Sequence, residues 1–375
     1  MTERAVRYPE IVAALRELIA SGTVRPGDRM PSEHQLARRF GVSRPTAGRA
    51  LRELEAAGLV QRRAGSGTFA RDAATGQRGR TFGLLAQGLG ATEVLDPICT
   101  EITRRCQAEG STVLWGDDSP PLEGVAELDR LCRYYLEQGV DGVFFAPLES
   151  EPDRERHNLR VVAALRSAGV QVVLLDRDVH DFPARSDLDL VGIDNFLAGL
   201  HLGEHLLALG RERLLLLARP NHPSTTDLRA AGCAAAARRH GLTPPSTILV
   251  SAEPADDAAV SALLADHRPD AIICANDFTA ALLLQTLSRL EVRVPADVAV
   301  AGFDDVRYST LLPVQLTTMR QPCRAIARAA VRVMNERLDD PSTEPCATLL
   351  RAELVVRRSC GSPAERVAVG GEEPA

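Results

Sequence analysis

From Thr81 to Gly302 the chain repeats one pattern: a short, continuously apolar run, then a longer stretch with apolar residues every three or four positions. Nine such runs read as strands, at 82–86, 113–115, 142–145, 170–175, 191–193, 214–217, 248–250, 271–274 and 298–302. Helical spacing falls between them at 98–109, 123–138, 158–168, 197–209, 228–240 and 278–290. A strand that is apolar along its whole length needs cover on both faces, and the alternating helices supply it. The pattern therefore predicts an α/β chain with parallel sheets, and nine strands are enough for two of them.

Residues 1–80 follow a different rule. Tyr8 to Ala20 places Ile11, Leu15, Leu18 and Ile19 on one helical face and stops before Ser21-Gly22. Ser32 is a good N-cap for a helix carrying Leu36, Ala37 and Phe40, which Gly41 ends. Ser43 caps the next helix, 44–57, whose Ala47, Ala50, Leu51 and Leu54 form a buried stripe. Arg44, Arg49 and Arg52 stand on the opposite side among the small neighbours Pro45, Thr46 and Gly48. After Gly58, residues 59–63 and 68–70 read as two strands joined by Ala64-Gly65-Ser66-Gly67. A basic helix with a slim first turn suits a DNA major groove, presenting N-terminal side chains to base edges and backbone N–H groups to phosphate. The glycines of the hairpin let its backbone approach phosphates, with Arg62 and Arg63 adding charge.

Charge divides along the same line. Residues 1–80 hold 15 Arg against 8 acidic residues, a balance of +7, and the remainder 29 against 42, or −13, which gives the −6 of the whole chain. A basic head on an acidic body is expected if only the head meets polyanion. The chain contains no lysine, so all 44 basic residues are Arg, which excludes Schiff-base and P-loop chemistry. With no GxSxG elbow and no HExxH motif either, no enzyme and no cofactor are expected. The eight cysteines are scattered without a CxxC pair, as in reduced proteins. His201 and His205 have the i, i+4 spacing of a zinc pair, but the pattern places no third ligand, and no metal is expected. The single Trp115 ends a strand and reads as packing. The first 15 residues lack a signal peptide's apolar core and cleavage site, and no apolar run reaches transmembrane length, so a soluble cytoplasmic protein is expected, with no membrane partner.

The ordered phrases PGDRMPSE, FGVSRPT, RALRELEAAGLV and GSGTF, within residues 8–70, resemble the winged helix-turn-helix of the GntR family. The resemblance implies contacts with double-stranded operator DNA from Ser32, His34, Ser43, Arg44, Pro45, Thr46, Arg49, Arg63, Gly65, Ser66 and Gly67. Two positions depart from the family: His34 stands where many members have Arg, and Gly48 where an Arg is common. Further on, GVDGVFFAP, VVLLDRD, VGIDNFLAGLHLGEHLLALGRERLLLL, DAIICANDFTAALLLQTL, RVPADVAVAGFDDV and LTTMRQP resemble the effector-binding domain of the LacI/GalR family, a relative of periplasmic sugar-binding proteins, over about residues 81–358. The fold implied is α/β: an N-terminal winged helix-turn-helix plus a two-lobed periplasmic-binding-protein-like domain with parallel sheets. Its two Rossmann-like lobes are joined by three crossovers, with residues near 81–178 and 320–340 in one lobe and most of 190–316 in the other. The expected division is 1–70 for the head, 71–80 for a linker without apolar periodicity, 81–360 for the effector domain and 361–375 for a disordered tail.

In such a domain, ligands sit beyond the carboxyl ends of the strands, in a cleft the lobes share. Asp176 and Arg177 follow one strand, Asn276 and Asp277 another, and Asp304 and Asp305 a third. Carboxylates, amides and a guanidinium together suit a molecule with several hydroxyls, a sugar or sugar derivative. Arg229 stands where the family's RxxG element carries a ligand-binding arginine, and Asp96, in the loop after the first strand, and Glu149 complete the expected set. An acid or amide at a strand end also caps the next helix, so Asn276 has either role open to it, while Asp194 and Asn195 read as a helix cap at a lobe junction. The function expected is a homodimeric transcriptional regulator, a repressor whose operator affinity answers to a small carbohydrate-like effector. The alternatives are a sugar-binding receptor with no role in transcription and an enzyme on the same scaffold.

Overall fold

Contacts divide the chain into two units, Met1–Arg80 and Thr81–Ala375. The computed structural model describes residues 8–20, 23–24, 27–56, 59–63, 67–70, 79–86, 94–116, 122, 124–149, 151–244 and 248–362. Most of the expected linker (71–78), the hairpin turn with Gly65 and Ser66, and the tail from 363 lie outside the described residues.

The first unit has α1 (Tyr8–Ala20), α2 (Glu33–Phe40), α3 (Arg44–Ala56) and a hairpin of β1 (Val60–Arg63) and β2 (Gly67–Ala70). Ile11, Leu15, Leu36, Ala50, Leu51 and Leu54 bury the face that the sequence periodicity marks. Ser32 and Gln35 form a reciprocal capping box at the start of α2, and Gly41, at φ 65°, ends it. The sequence did not announce the edge formed by residues 27–30, where Met30 N donates to Thr68 O (2.8 Å) and Ala70 N to Asp28 O (2.8 Å), giving the hairpin a third strand-like partner.

The second unit carries two six-stranded sheets. In chain order its elements are β3 (Thr81–Leu85), α4 (Leu95–Ala108), β4 (Thr112–Leu114), α5 (Gly124–Gln138), β5 (Gly142–Phe145), α6 (Arg154–Ser167), β6 (Gln171–Leu175) and β7 (Asp189–Ile193). Then come α7 (Asn195–Ala208), β8 (Leu214–Ala218), α8 (Ser224–Arg239), β9 (Leu249–Ser251), α9 (Asp257–His267), β10 (Ala271–Cys274), α10 (Asp277–Arg289), β11 (Ala299–Asp304) and β12 (Thr317–Arg320). The chain closes with α11 (Cys323–Asp339), β13 (Ala347–Leu350) and β14 (Glu353–Val355). One sheet runs β13-β7-β6-β5-β3-β4 and is parallel throughout; the other runs β14-β12-β11-β10-β8-β9, with only β14 antiparallel. The chain passes between them after β7, after β12 and after β13, the three crossovers expected.

Two expectations need correcting. The strand at 189–193 belongs to the first lobe, between β6 and β13, because it is buried along its whole length and needs a partner on each side; the second lobe begins at α7. Asp96 is in the first turn of α4, not in a loop, since Pro97 is compatible with a helix start and Leu95 and Ile98 anchor the turn in the core. No helix among the described residues is long and apolar enough to cross a membrane.

The helices α7 and α8 touch backbone to backbone. A Cβ on Gly232 would stand 2.1 Å from Phe196 O, and one on Gly199 2.1 Å from Arg229 O. Ala in place of Gly adds helix propensity worth about 1 kcal/mol, but a backbone clash at this distance has no side chain to yield, and overpacking of about 1–3 kcal/mol wins. Gly232→Ala is therefore expected to lower the free energy of unfolding by up to about that amount, read as a lower urea midpoint at unchanged slope; an unchanged or raised midpoint contradicts the close approach.

Candidate functional site

Two surfaces carry the residues singled out from the sequence, one on each unit. On the head, Ser32, His34, Ser43, Arg44, Pro45 and Arg49 are exposed and Thr46 is half-buried. Ser43 and Thr46 are paired, with their hydroxyls 2.8 Å apart and Thr46 N donating to Ser43 Oγ, so the cap that starts α3 also orients its first turn. Arg44 makes no ion pair among the described residues and is free to reach out. Gly48 is buried, and a Cβ there would lie 2.9 Å from Glu33 Oε1, the end of a flexible side chain on α2. Arg63 belongs to β1, while its side chain, with Gly65 and Ser66, lies outside the described residues. Gly67 faces Arg29, whose guanidinium would be 2.7 Å from a Cβ at that position. Arg29 is a further exposed cation beside the wing, and the sequence reading passed over it.

In the second unit, strands β5, β6, β8, β10 and β11 end around a cavity of about 430 Å³ between the lobes, inside the roughly 300–1,000 Å³ typical of ligand sites. Glu149, Asp176, Arg177, Arg229, Asn276 and Asp304 all line it; Asp96 does not. On the first lobe, Arg177 donates to Asp176 Oδ2 (2.8 and 3.0 Å) and to Glu149 Oε2 (2.8 Å). Burial opposes the Arg177 charge, but the Glu149 and Asp176 carboxylates outweigh it and raise its pKa. On the second lobe, Arg229 Nε donates to Asn195 Oδ1 (2.9 Å), a second donor meets Ala275 O, and the guanidinium lies 4.3 Å over the Phe303 ring. Asn276 caps α10 by accepting from Thr279 N (2.9 Å), the structural role left open for it, and still lines the cavity. Asp194 caps α7 through Leu197 N, as its sequence position suggests.

Asp304 sits at the end of β11 with φ 113°, followed by Asp305 at φ 56° and matched across the cleft by Asp176 at φ 69°. Each such non-glycine turn costs on the order of 1–3 kcal/mol and persists only where neighbours over-determine it. Here Asp305 is held by Arg357 and Arg320 (2.5 and 2.7 Å), and its N–H donates to Thr318 Oγ1. Burial raises the Asp304 pKa, countered by the Arg229 charge and a 2.8 Å hydrogen bond from Gln321 Nε2.

Comparison with known proteins places both surfaces. Residues 7–70 match the model of the bacterial regulatory proteins of the gntR family, and 204–360 that of the periplasmic binding protein-like domain. The chain is 25% identical over 367 residues to the arabinose metabolism transcriptional repressor of Geobacillus stearothermophilus, covering 94% of this chain and 97% of that one. It is 30% identical over 227 residues to the transcriptional repressor PurR of Photobacterium profundum, covering 55% of this chain and 68% of that one. The chain belongs to the transcriptional regulators that join a GntR-family head to a periplasmic binding protein-like domain. The fold of the regulator is also that of a solved CelR–cellobiose complex, with a TM-score of 0.64 at 23% identity over 88% of this chain and 100% of that one.

The regulator's cleft holds groups that strand-end reasoning did not reach. Gln321, in the crossover after β12, is buried, and its Oε1 has no hydrogen-bond partner among the described residues. Arg219, His222 and Phe278 line the second-lobe side, with the Arg219 guanidinium 5.6 Å from the Phe278 ring centre. Trp115 lies away from the cleft and donates from its indole to Thr103 Oγ1 (2.8 Å). His205 Nε2 is 3.5 Å from Cys360 Sγ, burial lowers its pKa, and no three His, Cys, Asp or Glu side chains gather to hold a metal among the described residues. Replacing Arg44 by Ala in this regulator is expected to weaken operator binding by about 1–3 kcal/mol if its guanidinium reads a base edge. Anisotropy with a labelled operator fragment checks it, and equal affinity for the variant removes Arg44 from the interface.

Proposed function

We propose that this regulator is a cytoplasmic repressor that grips operator DNA as a homodimer and changes its grip when a sugar or sugar derivative fills the cleft. The head at 1–70 reads DNA, 71–80 tether it, 81–360 form the effector domain, and 361–375 are a tail. The observation that carries the ligand assignment is the buried, unbonded Gln321 Oε1 beside Asp304, within a cavity that also presents Arg229, Asn276 and Asp176. A buried acceptor without a donor costs about 1–3 kcal/mol, and a hydroxyl placed there removes that cost while Asp304 and Arg229 supply further acceptors and donors to its neighbours. The relatives support this class of effector: one is a repressor of arabinose metabolism, and one structural neighbour is a complex with cellobiose.

Dimerisation follows from the small footprint of one winged helix. Two heads related by a two-fold axis read a palindrome whose half-sites are one or two DNA turns apart. Binding in the cleft favours one arrangement of the lobes, and the operator affinity changes only as far as the ligand prefers that arrangement. A coupling of about 5- to 150-fold in operator Kd is the ordinary range. Asp304→Ala is expected to leave operator binding unchanged without sugar and to abolish the sugar-dependent shift. Anisotropy titrations of the fragment upstream of the gene, with and without a sugar panel, measure both, and a variant that responds normally defeats the assignment.

A further inference from the structure

A second cavity, about 140 Å³, lies against the crossovers and is more apolar than the sugar cleft. Three large apolar side chains that stay substantially exposed, Phe182 (49%), Phe196 (40%) and Leu349 (42%), all line it. Their convergence is notable, because exposed apolar residues scattered singly need no explanation while a gathered set marks a binding surface. Leu228 adds a fourth apolar wall. The walls come from both lobes: Phe182 from the loop between β6 and β7, Leu349 from β13, Phe196 and Leu228 from α7 and α8.

The loop that presents Phe182 is internally fastened. The Asp178 carboxylate accepts from His180 N (3.0 Å), Ser186 N (3.2 Å) and Ser186 Oγ (3.1 Å), closing the segment around Phe182. The same closed loop carries Arg185, which lines the cavity, is exposed, and makes no ion pair or hydrogen bond among the described residues. Size and charge together narrow the occupant. A space of roughly 150 Å³ is known to take up benzene, so the volume fits one six-membered ring. The lining carboxylates are already engaged, Asp176 with Arg177 and Asp178 and Asp194 with backbone N–H groups, so the free guanidinium of Arg185 is the charge left to meet a carboxylate.

We propose that this cavity is a second effector site, for a monocyclic aromatic carboxylate. Its position couples it to the sugar cleft in two ways. Asp176, Arg177 and Thr225 line both cavities, and Asn195, which lines the apolar one, holds Arg229 of the sugar cleft through a 2.9 Å hydrogen bond. Because one wall belongs to each lobe, an aromatic ring seated between Phe182 and Phe196 favours one lobe arrangement over the other, and the two ligands alter each other's affinity by the same factor.

Titration calorimetry of the full-length protein with benzoate tests the site without any operator or sugar, so its outcome is separable from that of the proposed function. Benzoate is expected to bind once per chain, with acetate and benzyl alcohol each about tenfold weaker or worse, because one lacks the ring and the other the charge. Arg185→Gln, an exposed substitution that spares the core, lowers benzoate affinity about tenfold and leaves benzyl alcohol unaffected. Ala184→Trp, which fills the mouth of the cavity from an exposed position, abolishes binding of both. No benzoate heat up to about 10 mM, or equal affinity in wild type, Arg185→Gln and Ala184→Trp, overturns the site. Loss of self-association in a Phe182→Ala, Phe196→Ala variant without benzoate binding to the wild type also overturns it, since the patch is then a contact between copies.

Discussion

The carboxylate of Asp305 ties the cleft to the hinge. It is nearly buried and meets two guanidinium groups, Arg320 at the end of β12 and Arg357 beyond β14, while Arg320 also reaches Glu353 at the start of β14 (3.3 Å). Those residues flank two of the three crossovers, and Asp305 directly follows the strained turn at Asp304. Breaking the buried Asp305–Arg357 pair by removing one partner typically costs about 3–5 kcal/mol, comparable with the strain of the turn it restrains, so the turn and the hinge strands hold one geometry together. The third crossover has its own link to the cleft, from Asn195 to Arg229. A ligand that pulls on Asp304 or Arg229 therefore acts on segments that must bend when the lobes move.

The glycines of α7 and α8 explain why Arg229 can serve in this way. With Gly199 and Gly232 removing the usual spacing between helices, α8 is set by the backbone of α7, and Arg229 arrives at the cleft already seated over Phe303. Its position is fixed by packing before any ligand is present, which keeps the entropy cost of binding low.

Much of this was legible in the sequence, for a plain reason. The buried parallel strands are apolar end to end, as at 142–145 and 271–274, so they stand out without knowledge of their neighbours. The edges did not stand out. β12 begins with Thr317 and Thr318, whose buried hydroxyls find their partners far along the chain, on the Arg357 backbone, the Asp277 carboxylate and Asp305 N, and no local pattern foretells them. β13 and β14 are short and mixed, and residues 27–30 join the wing through backbone hydrogen bonds that no side-chain pattern marks. In the cleft, strand-end reasoning brought Asp176, Arg177, Asn276 and Asp304 together and missed Gln321, because β12, whose end it directly follows, is too mixed in sequence to be read as a strand. Asp96 failed for another reason: its turn is helical, because α4 begins three residues earlier than the apolar spacing suggests, and Asp96 does not line the cavity.

The central claim is that occupation of the cleft and the grip on DNA are one equilibrium. Hydrogen–deuterium exchange of the full-length protein, followed with and without a sugar that binds it, tests this most directly when operator affinity is measured on the same samples. The account predicts slower exchange in the crossover segments around 194–196, 320–323 and 350–353, together with a change in operator Kd of the size set by the coupling. A sugar that protects the cleft while leaving both the crossovers and the operator Kd unchanged would contradict it.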